Sequence, residues 1–168
     1  NQGVTINEIH NVYEVPKSLQ QQWAARSYHG DVKNNSRAVI NRFLGDGIQV
    51  NAAGDFIYGN YIGTNVAGTA ALANALTGIS VNNVANTTIG GAAVGQGNTI
   101  AGNTGAEVSI SGSSALTHAV VGNMIGVRFN GTSKIASAGS GVLLAGGADN
   151  NTIGGTALGT ANVIGGNA

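Results

Sequence analysis

From Gly45 onward the apolar residues stand in short alternating groups cut by Gly and Asn. This is the period-two signature of half-buried strands, not the three-to-four spacing of a helix. The groups "GIQV", "GISV", "EVSI" and "GVLL" begin at Gly47, Gly78, Glu107 and Gly141. Each is followed by an isolated apolar pair and then by an element of the form GN-x-I or AN-x-I, which predicts three strand-like pieces per turn of the chain. Intervals from Gly47 through Gly78 and Gly105 to Gly141 run between 27 and 36 residues, because turns such as "TNVAGTAALANAL" absorb insertions while the strands keep register.

Before Gly45 the spacing is helical. Ile6, Ile9, Val12 and Tyr13 fall on one face, with Thr5 and Glu8 placed as a capping box. Pro16 suits a first helical turn leading into "KSLQQQWAAR". Asn35 or Ser36 can cap a third segment carrying Ala38, Val39, Ile40, Phe43 and Leu44, with Gly45 as its stop. Three short helices are expected there.

The strand pattern repeats. Asn86, Thr88, Ile89, Gly90, Gly91, Asn98, Ile100 and Asn103 recur 64 residues later as Asn150, Thr152, Ile153, Gly154, Gly155, Asn162, Ile164 and Asn167. "GNYIGTNVAGT" from Gly59 recurs as "GNMIGVRFNGT" from Gly122, an offset of 63. A parallel β-helix of about four coils accounts for this, since each strand is too short to bury its apolar face alone and stacked coils build one continuous core. Gly supplies the positive φ of tight corners, and Asn60, Asn98, Asn123 and Asn162 are expected as corner or ladder residues whose amides join successive coils. The fold expected is mainly β, a solenoid over 46–168 preceded by a helical segment over 1–45 that is either a cap on the first coil or a fusion remnant.

Composition sharpens that boundary. All of the seven Lys and Arg except Arg128 and Lys134 precede Gly45, and all but three of the 28 glycines follow it. The formal net charge is zero, so nothing calls for nucleic acid, an acidic substrate or an anionic membrane. Cysteine is absent, which removes disulfides and thiolate metal sites. No apolar run is long enough for a membrane span and no signal peptide is visible; Asn1 is not a natural start, so the chain reads as a processed or excised piece.

Two resemblances follow from quoted residues. "GNYIGTNVAGTAAL", "GISV", "NTTIGG" and "GNTIAGN" resemble the Gly/Asn-rich right-handed parallel β-helix repeats of large bacterial secreted and cell-surface proteins, over residues 47–167. That resemblance implies an extracellular or cell-surface location. "NEIHNVYEVPKSLQQQWAARSYHGDVKNNSRAVINRFLG", residues 7–45, resembles a segment of the linear alkyl sulfatases, zinc hydrolases of the metallo-β-lactamase superfamily. Arg26, Tyr28, Gly30, Asn35, Ala38, Val39, Arg42, Phe43, Leu44 and Gly45 match the family pattern there, whereas Asn34 stands where the family has His. By that resemblance alone, Arg26, Tyr28 and Asn35 would help to hold a sulfate in an intact relative.

The chemistry such a hydrolase needs is not written in this chain. The family's zinc pair requires a His-x-His-x-Asp-His run, and His10, His29 and His118 stand isolated, so neither a metal, a cofactor nor a catalytic residue is expected. Asp46, Asp55, Glu107 and Asp149 are too dispersed for the paired carboxylates of a polysaccharide-cleaving site unless the coils stack them. An ice-binding face needs a Thr array. The residues before the apolar position of the middle strand read as Phe56, Thr88, Val120 and Thr152, and those of the third strand as Tyr61, Thr99, Met124 and Val163, so neither column is one. Phe56, Tyr58 and Tyr61 are candidates for stacking on sugar rings, or they cover the junction with the helical segment.

Three functions remain in view. The first is a non-catalytic module of a larger protein, acting as a rigid stalk, adhesive or carbohydrate-binding piece. The second is a part of an alkyl sulfatase-like hydrolase lacking its metal site. The third is a part of a polysaccharide lyase or hydrolase β-helix. The expected partners are a carbohydrate or cell-surface ligand, and a second copy through the open C-terminal coil.

Overall fold

A computed structural model of the protein describes residues 47–168, which lie in the compact unit Gly45–Ala168. The three expected helices, and Arg26, Tyr28 and Asn35, lie outside the described residues.

The described chain is a parallel β-solenoid of four rungs, each with three short strands and no helix. The first rung holds β1 (Ile48–Val50), β2 (Phe56–Ile57) and β3 (Tyr61–Ile62), and the second β4 (Ile79–Asn82), β5 (Thr88–Ile89) and β6 (Thr99–Ile100). The third holds β7 (Val108–Ser111), β8 (Ala119–Val120) and β9 (Met124–Ile125), and the fourth β10 (Val142–Ala145), β11 (Thr152–Ile153) and β12 (Val163–Ile164). Strands at the same place in successive rungs pair in parallel. They form three four-stranded sheets, β1-β4-β7-β10, β2-β5-β8-β11 and β3-β6-β9-β12.

Register puts like on like. Val50, Val81, Ile110 and Leu144 stack in the first sheet, Ile57, Ile89, Val120 and Ile153 in the second, and Ile62, Ile100, Ile125 and Ile164 in the third. Two-residue strands have no stability of their own, but each rung caps the apolar face of the one before. The side chains of Ile79, Ile89, Ile100, Ile110 and Ile125 are fully buried, and each such burial is worth roughly 1.5–3 kcal/mol.

The paired register corrects one column. Ala119, not Val120, stands beside Thr88 and Thr152, and Val120 is fully buried with Ile89, in register with Ile153 on the exposed last rung. The middle strand presents Phe56, Thr88, Ala119 and Thr152 outward, which is still no Thr array.

The repeat of about 63 residues proves to be two rungs, because the long turns alternate. In the first and third rungs the corner before the third strand is tight (58–60 and 121–123) and the turn after it is long, closed by the isolated bridges Thr64↔Ala71 and Val127↔Lys134. In the second and fourth rungs the long turn comes before the third strand, at 90–97 and 154–161.

Candidate functional site

Most buried polar side chains of the solenoid are committed to joining rungs. The backbone N–H of Asn60, Asn98 and Asn123 each donates to Oδ1 of the next Asn along the axis, Asn98, Asn123 and Asn162, at 2.9, 3.0 and 2.9 Å. The same Oδ1 atoms also accept the preceding side-chain amide, at 3.1, 2.9 and 3.1 Å. The Nδ2 groups of Asn98, Asn123 and Asn162 return to the carbonyls of Ile57, Ile89 and Val120 in the neighbouring rung. The four Asn expected at corners are therefore a continuous ladder.

A second ladder runs before the middle strands and uses a residue that reads in sequence as an isolated histidine. His118 is buried, and its Nδ1 accepts the backbone N–H of Thr87 at 2.9 Å. A backbone N–H can only donate, so the ring proton sits on Nε2 and goes to the Val84 carbonyl at 2.9 Å. The N–H of His118 in turn donates to Oδ1 of Asn151 at 2.9 Å, so the imidazole takes the place an Asn amide takes one rung later.

A third set ends on a carboxylate. Asn103 Oδ1 accepts from the backbone and side-chain amides of Asn74, at 3.2 and 2.8 Å, and its own N–H donates to Glu107 Oε1 at 3.2 Å while its amide group bonds Oε2. Glu107 is fully buried and spent on this contact. Asp149 instead accepts the Asn150 N–H at 2.7 Å, on the surface. Among the described residues, no three of His, Cys, Asp and Glu come together to hold a metal. Thr87 Oγ1 and Asn167 Oδ1 are the buried side-chain atoms without a hydrogen-bond partner among the described residues.

A concave feature of the described residues lies on the outside. The long turns at 90–97 and 154–161 rise on one side of the third sheet, and those after β3 and β9 rise on the other, leaving a groove of about 410 Å³. Tyr61, Thr99 and Met124 form its floor, with Phe129 on one wall and Gly91 to Ala93 and Gly159 on the other. Close backbone approach builds the walls. A Cβ at Gly159 would lie 2.3 Å from the Ala92 carbonyl oxygen, so the two turns of that ridge stack directly. The Phe129 N–H donates to the Gly68 carbonyl at 3.1 Å, which stacks the turns of the other.

The aromatic trio of the first rung is divided by this geometry. Phe56 and Tyr58 form a tilted pair with ring centroids 5.6 Å apart, while Tyr61 lies in the groove against Gly68. All three are exposed. Phe129 joins Tyr61 in the groove. Its only sequence signal was its place in "GNMIGVRFNGT", opposite Val66 of the earlier copy.

The fold defines the described part as a β-solenoid with an external groove. Comparison with known proteins speaks to the other part. Residues 5–46 match the family model described as alkyl sulfatase dimerisation. Over 45 residues the chain is 40% identical to the alkyl/aryl-sulfatase BDS1 of Saccharomyces cerevisiae, covering 27% of this chain and 7% of that protein. Over 46 residues it is 44% identical to an (R)-specific secondary-alkylsulfatase of a Pseudomonas species, again covering 27% and 7%. The chain thus spans about 7% of the length of the curated relatives it matches. No solved structure matches it. Arg26, Tyr28 and Asn35 fall inside the matched segment.

Proposed function

We propose that this protein is a non-catalytic, self-associating solenoid module of a larger secreted or cell-surface protein, divided at Gly45 into an association segment and a rigid scaffold. The observation that carries the reading is the commitment of Asn98, Asn123, His118 and Glu107 to bonds between rungs, which leaves these buried groups no part in chemistry. Self-association is supported by the likeness of residues 5–46 to a dimerisation region.

A second reading has its own support in the two sulfatases that resemble the same segment. In it, residues 5–46 serve sulfate ester hydrolysis within a longer hydrolase.

The test is sedimentation velocity of the full chain over a concentration series, paired with an assay for sulfate release from an alkyl sulfate in the presence of zinc. The expected result is a species heavier than the monomer and no sulfate release. Zinc-dependent release by the purified chain would establish the second reading, and a monomer at every concentration would remove self-association.

A further inference from the structure

We propose that Asn130 is a self-modification site, which the turn 128–131 carries through a succinimide to aspartate or isoaspartate with the help of the Thr132 hydroxyl. The inference is independent of the self-association proposed above.

The chain holds a single Asn–Gly step, Asn130–Gly131. Attack on a side-chain amide by the next backbone nitrogen is easiest where the following residue has no Cβ to crowd the ring that forms. Asn130 is exposed, and so are Arg128, Phe129 and Thr132 around it. The ladder residues Asn98 and Asn123 are the opposite case. They are buried, both atoms of each amide are hydrogen-bonded, and Thr99 and Met124 follow them.

The turn readies the Asn130 amide for attack. Its Oδ1 accepts the Thr132 N–H at 3.2 Å and the Thr132 hydroxyl at 2.9 Å. Both donors polarise the carbonyl, and both are in place for the negative charge that gathers on Oδ1 when Cγ becomes tetrahedral. The Gly131 N–H donates to the Arg128 carbonyl at 2.8 Å and has to leave that bond first. Hydrogen bonds of an exposed turn open readily, so this slows the reaction without stopping it.

Water is the only co-reactant the step needs. The Gly131 nitrogen loses its proton and bonds to Asn130 Cγ, the Cγ–Nδ2 bond breaks, and the proton reaches the departing ammonia through water. A water molecule then opens the ring. Entry at Cγ gives aspartate, and entry at the Asn130 backbone carbonyl carbon gives isoaspartate, with the chain running through Cγ. Either product puts a carboxylate in the turn beside Arg128 and Lys134, the cations among the described residues. Isoaspartate also lengthens the backbone next to Phe129, on the groove wall.

Arg128 and Lys134 make the test direct, since trypsin cuts after both and releases residues 129–134. The full-length chain is kept at physiological temperature for weeks, at neutral and at mildly alkaline pH, beside the same chain in urea. The proposal expects this peptide to gain the mass difference between a hydroxyl and an amino group and to split into two chromatographic forms, ahead of every peptide carrying another Asn. Conversion should be faster at the higher pH, where the backbone nitrogen loses its proton more often, and about tenfold slower than in urea. Thr132→Ala should slow conversion about fivefold, a small effect for such a donor because the turn is in water, and Thr132→Ser should leave the rate unchanged.

A peptide 129–134 that stays intact in the folded chain while the urea sample converts overturns the inference, because the turn then shields Asn130. Conversion of Thr132→Ala as fast as the wild type overturns it too, since the dipeptide alone is then reacting. If Thr132→Ala alters the circular dichroism spectrum, the comparison of folded and unfolded wild type decides alone. Neither outcome bears on self-association.

Discussion

Asn123 Oδ1 accepts two hydrogen bonds from Asn98, the backbone N–H at 3.0 Å and the side-chain amide at 2.9 Å, at a point where both residues are buried. This one acceptor ties the second rung to the third. Asn123→Ala leaves the Asn98 N–H without a partner and its side-chain amide with only the bond to the Ile57 carbonyl, in a place water does not reach, while the Ile89 carbonyl keeps the Val121 N–H. Unmet buried groups cost about 1–3 kcal/mol each, so a loss of roughly 2–5 kcal/mol is expected. Asn162→Ala removes the same two acceptor bonds from Asn123, but beside the half-exposed fourth rung, and should cost clearly less. Denaturant midpoints of the two variants check the order.

His118→Asn should be tolerated far better than His118→Leu. An Asn Oδ1 can accept the Thr87 N–H as Asn151 Oδ1 already accepts that of His118, whereas Leu leaves the Thr87 donor and the Val84 carbonyl unmet. The Leu variant should lose about 2–4 kcal/mol and the Asn variant about half of that. Equal losses in urea melts would mean that ring packing, not the ladder bond, is what the site needs.

Thr117→Asn should stabilise the protein. The corner before each middle strand is left-handed throughout, with φ of 81° at Gly54, 61° at Asn86, 60° at Thr117 and 55° at Asn150. Three of these residues suit that region, and β-branched Thr117 does not. The single exposed hydroxyl bond of Thr117, donated to either Asn86 Oδ1 or the Leu116 carbonyl, returns less than the strain of about 1–2 kcal/mol. A rise of about 1 kcal/mol in unfolding free energy is expected, and a fall would show that the hydroxyl contacts outweigh the backbone strain.

These predictions also mark what could be read from sequence. The column Val50, Val81, Ile110 and Leu144 was legible, because period-two alternation states which side chains point inward and the Gly and Asn corners state where strands stop. The Asn ladder was legible because the same residue type recurs at the same place. His118 was not, since its role lies in a neighbour 31 residues away and imidazole replaces an amide by hydrogen-bond geometry rather than by likeness. Ala119 was displaced by one residue, because an isolated pair has no third residue to fix its phase. The groove stayed hidden for a related reason. Its walls are long turns of alternate rungs, and a repeat period does not say which turns share a side.

The two ends of the third-sheet column give a last test. Ile100 is fully buried between rungs, while Ile164, at the same position in the fourth rung, is 49% exposed. Truncating Ile100 to Ala opens a cavity that rungs on both sides hold open, which costs about 2–5 kcal/mol. Ile164→Ala removes side-chain atoms already half in water and leaves no enclosed cavity, so a loss of about 1 kcal/mol is expected. Thermal or urea unfolding of both variants at low protein concentration checks the difference. Should Ile164→Ala cost as much as Ile100→Ala, and should that cost grow with protein concentration, the fourth rung is covered by another copy in solution. Association would then run end to end along the axis.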